Sequence, residues 1–116
     1  MKVERRLHPR ILVDWPVVVT TLRSAADGET KDISVDGAFI FCLEEVELAA
    51  DFPIVLKPRE HFQISVTAEK VWSGSFRVGN KMLFGMGIRF IEISAKDRGF
   101  ISTLVEKESR KRALRG

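Results

Sequence analysis

The sequence predicts an all-β body closed by one C-terminal helix. Three observations carry that prediction: short segments rich in Val, Ile, Phe and Thr recur between Gly- and Pro-bearing turns, apolar and polar residues alternate strictly in the longest of them, and the period turns helical only after Ile93. At 116 residues the chain has room for one domain, and 45% hydrophobic content supports a folded core.

The first strand is expected in WPVVVTTL, residues 15–22, ending in the turn-like RSAADGE, and a short second strand at residues 29–33. GAFIFCL forms a third, with Ala38, Ile40 and Cys42 facing one way and Phe39, Phe41 and Leu43 the other, so both faces are expected to be covered. The connection EEVELAADF is expected to carry a helical turn, followed by PIVLK as a strand bounded by Pro53 and Pro58. HFQISVTAEKVWS alternates Phe62, Ile64, Val66 and Ala68 with Gln63, Ser65, Thr67 and Glu69, the pattern of a half-buried antiparallel strand. Its partner is KMLFGMGIRFIEI, reached across a turn at GSFRVGN; Gly85 and Gly87 there suggest a bulge, or close approach by a ligand or another backbone. Ser94 then caps a helix with Asp97 three residues on, and Phe100, Ile101, Leu104 and Val105 form its apolar stripe. The stripe ends before EKESRKRALRG. Residues 107–116 therefore read as a basic tail that frays into solvent, and residues 1–106 as the domain.

Nineteen basic and sixteen acidic residues give a net charge of +3, too little to decide a partner by itself. Cys42 is the single cysteine and lies in an apolar run, which excludes an internal disulfide and suits a reducing compartment. MKVERRLHPR is charged from the outset, unlike a signal peptide, and the apolar runs are too short to span a bilayer. The expectation is a soluble cytoplasmic protein without membrane insertion.

KDISVDGAFIFCL invites a calcium reading, because Asp32, Ser34, Asp36 and Gly37 imitate the first half of an EF-hand loop. The loop's closing bidentate glutamate would fall at Leu43, and both flanks read as strands, so calcium fails. One cysteine with the isolated His8 and His61 offers no zinc set, and both histidines read as surface or turn residues. No nucleophile stands beside a base and no phosphate-binding glycine loop is present, so nothing points to an enzyme. ERRLHPR is more informative: Arg6 and Arg10 are four apart, Arg5 is adjacent, and Pro9 stiffens the approach to the first strand. Guanidinium forks suit phosphate oxygens and the O6/N7 edge of guanine.

RRLHPR followed by DISVDG resembles the PilZ domain, whose signature pairs R-x-x-x-R with [D/N]-x-S-x-x-G. Arg6 and Arg10 fill the first motif, and Asp32, Ser34 and Gly37 the second; AEKVW at 68–72, GMGIRF at 85–90 and the closing helix extend the resemblance over nearly the whole chain. It implies a six-stranded antiparallel β-barrel that binds cyclic di-GMP, a ring of two GMP units, with no other cofactor. On that implication Arg6 and Arg10 clamp guanine edges and phosphates, Asp32 accepts from guanine N1 and N2, Ser34 meets a phosphate or braces Asp32, and Gly37 permits a tight turn and close backbone approach. Arg5, preceding the motif, is associated in the family with an intercalated pair of ligands. Trp72 is a secondary candidate for stacking on a base, against a plainer role in packing, and Arg89 for adding charge if its strand face points to the site. The implied function is that of a receptor whose surface changes on binding and is read by an unidentified downstream protein, in motility or exopolysaccharide output.

Two rivals carry different expectations. A small nucleic-acid-binding barrel would need exposed aromatics along one sheet face, whereas most of the two tryptophans and eight phenylalanines alternate as core, which speaks against nucleic acid. A PilZ-like interaction module that has lost the ligand would show eroded motifs, and both are complete here. Asp32 and Ser34 taken alone fit a local side-chain turn that starts a strand.

Overall fold

The computed structural model describes residues 9–115. Alternation of apolar and polar side chains, repeated in strand after strand, folds into a closed barrel because each strand then has one face to bury and two neighbours to pair with. The strands are β1 (Ile11–Thr20), β2 (Ala25–Ile33), β3 (Gly37–Cys42), β4 (Asp51–Arg59), β5 (Phe62–Val78) and β6 (Lys81–Ile93), followed by α1 (Ala95–Arg115). All pairings are antiparallel, and the order around the barrel is β1-β2-β3-β6-β5-β4, with β1 and β4 closing it. The all-β class and the C-terminal helix are thus as the sequence predicts, and the six-stranded antiparallel barrel is as the resemblance implies.

The interior is built from the alternating positions: Val17 and Val19 of β1, Ile40 of β3, Ile54 and Leu56 of β4, and Ile64 and Val66 of β5 are all buried. Cys42 belongs to this core, and burial, with the Asp27 carboxylate adding to it, pushes its thiol pKa up. α1 lies against one end of the barrel, where Ile101 and Val105 are buried and Phe100 packs edge-on against Phe62, ring centres 4.8 Å apart. Ser94 caps α1 as predicted, its Oγ accepting from the Asp97 N–H at 3.1 Å.

Several element boundaries differ from the sequence reading. β1 starts four residues early, at Ile11 rather than at 15, and a register shift between Leu12 and Trp15 breaks the alternation that would have revealed it. Pro16 is tolerated because β4 joins β1 only at residues 17–19. β2 begins at Ala25, inside the supposed turn; Gly28 is needed there because a Cβ would come within 2.6 Å of the Phe41 carbonyl oxygen. β4 runs through both prolines. Residues 43–50 hold no helical turn, and Leu43, outside β3, is exposed rather than covered. β5 continues to Val78, so the connection to β6 is the two-residue turn Gly79–Asn80 with Gly79 at φ 62°. α1 continues as helix through the basic segment to Arg115 instead of fraying at 107.

Candidate functional site

Arg10, the last residue of the first signature motif, meets the second motif on the outer wall of the barrel, at the end where β2 turns into β3. Arg10, the residue before β1, donates from Nη1 to Asp32 Oδ1 at 2.7 Å. Both side chains are about a quarter to a third exposed, at 30% and 26%, so the pair is reachable from solvent. Asp32 stands on β2 opposite Leu12 of β1 and Phe39 of β3. Arg5, Arg6 and His8 lie outside the described residues.

Ser34 to Gly37 form a tight link between β2 and β3. Ser34 is buried, and its Oγ accepts from the Asp36 N–H at 3.1 Å while its own N–H donates to the Gly37 carbonyl at 2.9 Å. It therefore braces the turn rather than Asp32. Gly37 sits where a Cβ would fall 2.1 Å from the Ile88 carbonyl oxygen, so the glycine serves close approach of β3 to β6. Its φ is not among the positive ones, so the turn itself does not require glycine.

Asp36 is more engaged than a solvent-facing turn residue. Its carbonyl accepts from the Phe90 N–H at 2.8 Å, and its carboxylate lies 3.6 Å from Arg98 Nη2. Arg98 also donates from Nη1 to the Val35 carbonyl at 3.1 Å. The first turn of α1 is thereby fastened to the motif turn, a contact missing from the sequence reading. A signal was available, since a cation near a helix N-terminus opposes the helix dipole and calls for an acceptor elsewhere.

Beyond Asp32 the outer wall continues as a cross-strand row. Asp32 pairs with Phe39, Phe39 with Gly87, and Gly87 with Trp72, placing a carboxylate at one end and an indole at the other. Trp72 lies flat against Phe39, ring centres 5.1 Å apart at 20°, and covers Gly87, where a Cβ would meet the indole Nε1 at 2.4 Å. The glycines of β6 thus make room for aromatic side chains, Phe39, Phe41 and Phe76 over Gly85 and Trp72 over Gly87, rather than for another backbone. A bulge is also present, on β5 between Lys70 and Trp72. Arg89 does face this wall: it pairs with Gly37 across β3 and with Glu69 across β5, and its Nε donates to Glu69 Oε2 at 2.7 Å. The structure brings Arg10, Asp32, Gly37, Trp72 and Arg89 to one surface, with Ser34 buried beneath it.

Among the described residues no three His, Cys, Asp or Glu side chains gather to hold a metal ion. The Asp32, Ser34 and Asp36 side chains of the supposed calcium loop are instead engaged with Arg10, a backbone N–H and Arg98. His61, at φ 63° in the β4–β5 turn, is exposed. No described helix is long and apolar enough to cross a membrane.

Fold and placement define a small antiparallel barrel with a charged and aromatic outer wall beside its motif turn. The chain belongs to the PilZ domain family, whose model matches residues 4–107. That family consists of ligand-binding receptors rather than enzymes. Among solved structures, the PilZ domain of YcgR from Escherichia coli with c-di-GMP is similar at TM-score 0.73 and 17% identity, covering 97% of this chain and 100% of that one. The Bacillus subtilis inhibitor of motility MotI/DgrA is similar at TM-score 0.74 and 16% identity over 94% of this chain and 53% of that one. The K. pneumonia MrkH–c-di-GMP complex gives 0.73 and 16% over 98% and 57%. The chain spans about half the length of the MotI/DgrA and MrkH chains. No curated protein matches it significantly.

Proposed function

We propose that the chain is a cyclic di-GMP receptor that binds the messenger on the wall from Asp32 to Trp72 and passes the signal to a partner protein. The observation that carries this reading is the Arg10–Asp32 pair at 2.7 Å, which joins the end of one signature motif to the start of the other on an accessible surface. A guanine presents acceptors, O6 and N7, on one edge and donors, N1 and N2, on another; an arginine fork beside a carboxylate can meet both. Arg10 would hold the first edge or a phosphate, with Arg6 and Arg5 of the arm, and Asp32 the second. Ser34 would act through the turn it braces, and Gly37 by letting that turn lie close to β6. Trp72 offers an indole face to a base, and Arg89, after parting from Glu69, a charge to a phosphate.

Arm, barrel and helix to residue 106 would form the binding unit, with 107–116 as its basic extension. Two ligands per domain are the stoichiometry that the family associates with an arginine at the position of Arg5. The soluble, cytoplasmic setting suits a nucleotide messenger, and motility or exopolysaccharide machinery is the class of output that the family suggests. YcgR and MrkH, solved with c-di-GMP, support the ligand; the inhibitor of motility supports a motility output.

Isothermal calorimetry tests the reading, with cyclic di-GMP titrated into the wild type and into Arg6→Ala, Arg10→Ala and Asp32→Ala, beside GTP and single-stranded RNA. Binding to the wild type at two ligands per chain is expected, and each replacement should weaken it by about 1–3 kcal/mol, the scale of one bidentate or charge-assisted contact. A folded wild type that binds no cyclic di-GMP would sink the proposal. If Asp32→Ala unfolds the chain, the residue is a structural one instead.

A further inference from the structure

We infer that a second copy of this chain pairs with the open edge of β5, making a two-fold dimer through residues 72–76. β4 pairs with β5 only as far as Glu69, so from Lys70 to Val78 the strand has β6 on one side and no β4 residue on the other. Every residue from 70 to 82 is exposed, including Trp72 at 48%, Phe76 at 39% and Val78 at 58%. Natural edges are usually shortened, charged or covered, because a bare edge is a template for another strand. This one carries WSGSF.

The occupant follows from that sequence, which is nearly its own mirror image about Gly74. In antiparallel pairing about a two-fold axis at Gly74, Trp72 of one copy falls opposite Phe76 of the other, and Ser73 opposite Ser75. Both aromatic pairs form on the outer face, where Trp72 and Phe76 already lie, and at the centre two glycines meet. The hydrogen-bond phase agrees. Val78 and Lys81 close a two-residue turn, so residues 78, 76, 74 and 72 exchange hydrogen bonds with β6, while Ser75 and Ser73 turn their N–H and C=O groups to the open edge. Ser73 and Ser75 therefore bond across the axis, and Gly74 meets Gly74 in the wider-spaced position, where side chains come closest.

Charge also fits a second copy. Arg77 of one chain falls opposite Val71 of the other, one residue from Lys70, which lines a cavity of about 120 Å³ together with Glu44, Glu45 and the edge residues Ser73, Gly74 and Ser75. Two carboxylates there outnumber one ammonium, so each end of the shared strand pair receives an arginine on acidic ground.

Sedimentation velocity on the full chain, without ligand, tests the dimer. The wild type is expected to sediment as a dimer, and Ser75→Pro as a monomer, since it removes an N–H aimed at the partner and leaves the β5–β6 ladder intact. A Gly74→Cys variant should cross-link to itself under mild oxidation. The Cα atoms across the axis would be about 4.5 Å apart, within disulfide reach, and a Cβ at 74 meets nothing closer than 3.8 Å in its own chain. Arg77→Cys should not cross-link, its twin lying about 20 Å away along the strands. A wild type that stays monomeric at the highest concentration reached overturns the inference, even if the edge captures some other extended peptide. So does a dimer that survives Ser75→Pro with a native circular dichroism spectrum, or a Gly74→Cys dimer that fails to cross-link. If Ser75→Pro does not fold, the two cysteine variants decide.

Discussion

Replacing Gly87 by alanine asks whether the outer wall is built around Trp72. A Cβ at 87 would lie 2.4 Å from the indole Nε1 and 2.8 Å from its Cδ1, so the ring has to leave. It has somewhere to go, being 48% exposed, and what it gives up is the stack on Phe39 at 5.1 Å. An aromatic pair is worth about 0.5–1.5 kcal/mol beyond its buried area, and forcing extra volume into a packed site costs about 1–3 kcal/mol. Alanine in a strand returns about 0.5–1 kcal/mol that glycine forfeits. The balance is a loss of about 0.5–4 kcal/mol, or about 2–16 °C in Tm for a domain of this size. Urea denaturation followed by far-ultraviolet circular dichroism measures the loss, and tryptophan emission should shift to the red as Trp72 enters water while Trp15 stays buried. The same change in a Trp72→Ala background should be neutral or stabilising, because the clash is gone. An equal loss in both backgrounds would refute the reasoning, since Gly87 would then serve something other than the indole.

Two further expectations follow from particular contacts. Arg98→Ala removes the bond to the Val35 carbonyl and the partly exposed pair with Asp36, and should cost about 1 kcal/mol of stability after screening; ligand affinity should fall several-fold, with Arg98→Lys recovering only part, as unfolding curves and calorimetry would show. Cys42 holds its proton more tightly in the folded chain than in the unfolded one, so its contribution to stability is complete below the ordinary thiol value of 9.0 and is lost as pH rises through the raised native value. Urea titrations at rising alkaline pH should therefore show a shallower loss for Cys42→Ala than for the wild type, and parallel losses would contradict the assignment.

The parts of the fold that are legible in the sequence are those where one physical signal acts alone. β6 can be read to the residue, because thirteen residues of apolar pattern end at a capping serine. β2 and the far half of β5 are hidden for the opposite reason: AADG and GSFRVG are poor strand formers by composition, and pairing with β1 and β6 makes them strands. The motif residues can be named because they lie close together along the chain. Two relations cannot be seen there: Arg98 reaches Val35 across 63 residues, and the row from Asp32 to Trp72 exists only once four strands are in register. Composition also disguises the aromatics. Phe39 and Phe41 on β3 alternate with core residues yet, with Trp72 and with Phe76 from the supposed turn, occupy the outer face over the glycines of β6, so the expectation that most aromatics are core fails for these four.

The fastening of α1 to the motif turn gives the helix mechanical leverage. Seventeen residues separate Arg98 from the end of α1 at Arg115, a length of about 25 Å. A tilt of about 10° at Arg98 then carries the far end through about 4 Å, nearly a full helical turn's pitch. The barrel need hardly deform for a partner gripping that end to feel a change in the turn, and the amplification would come from length alone.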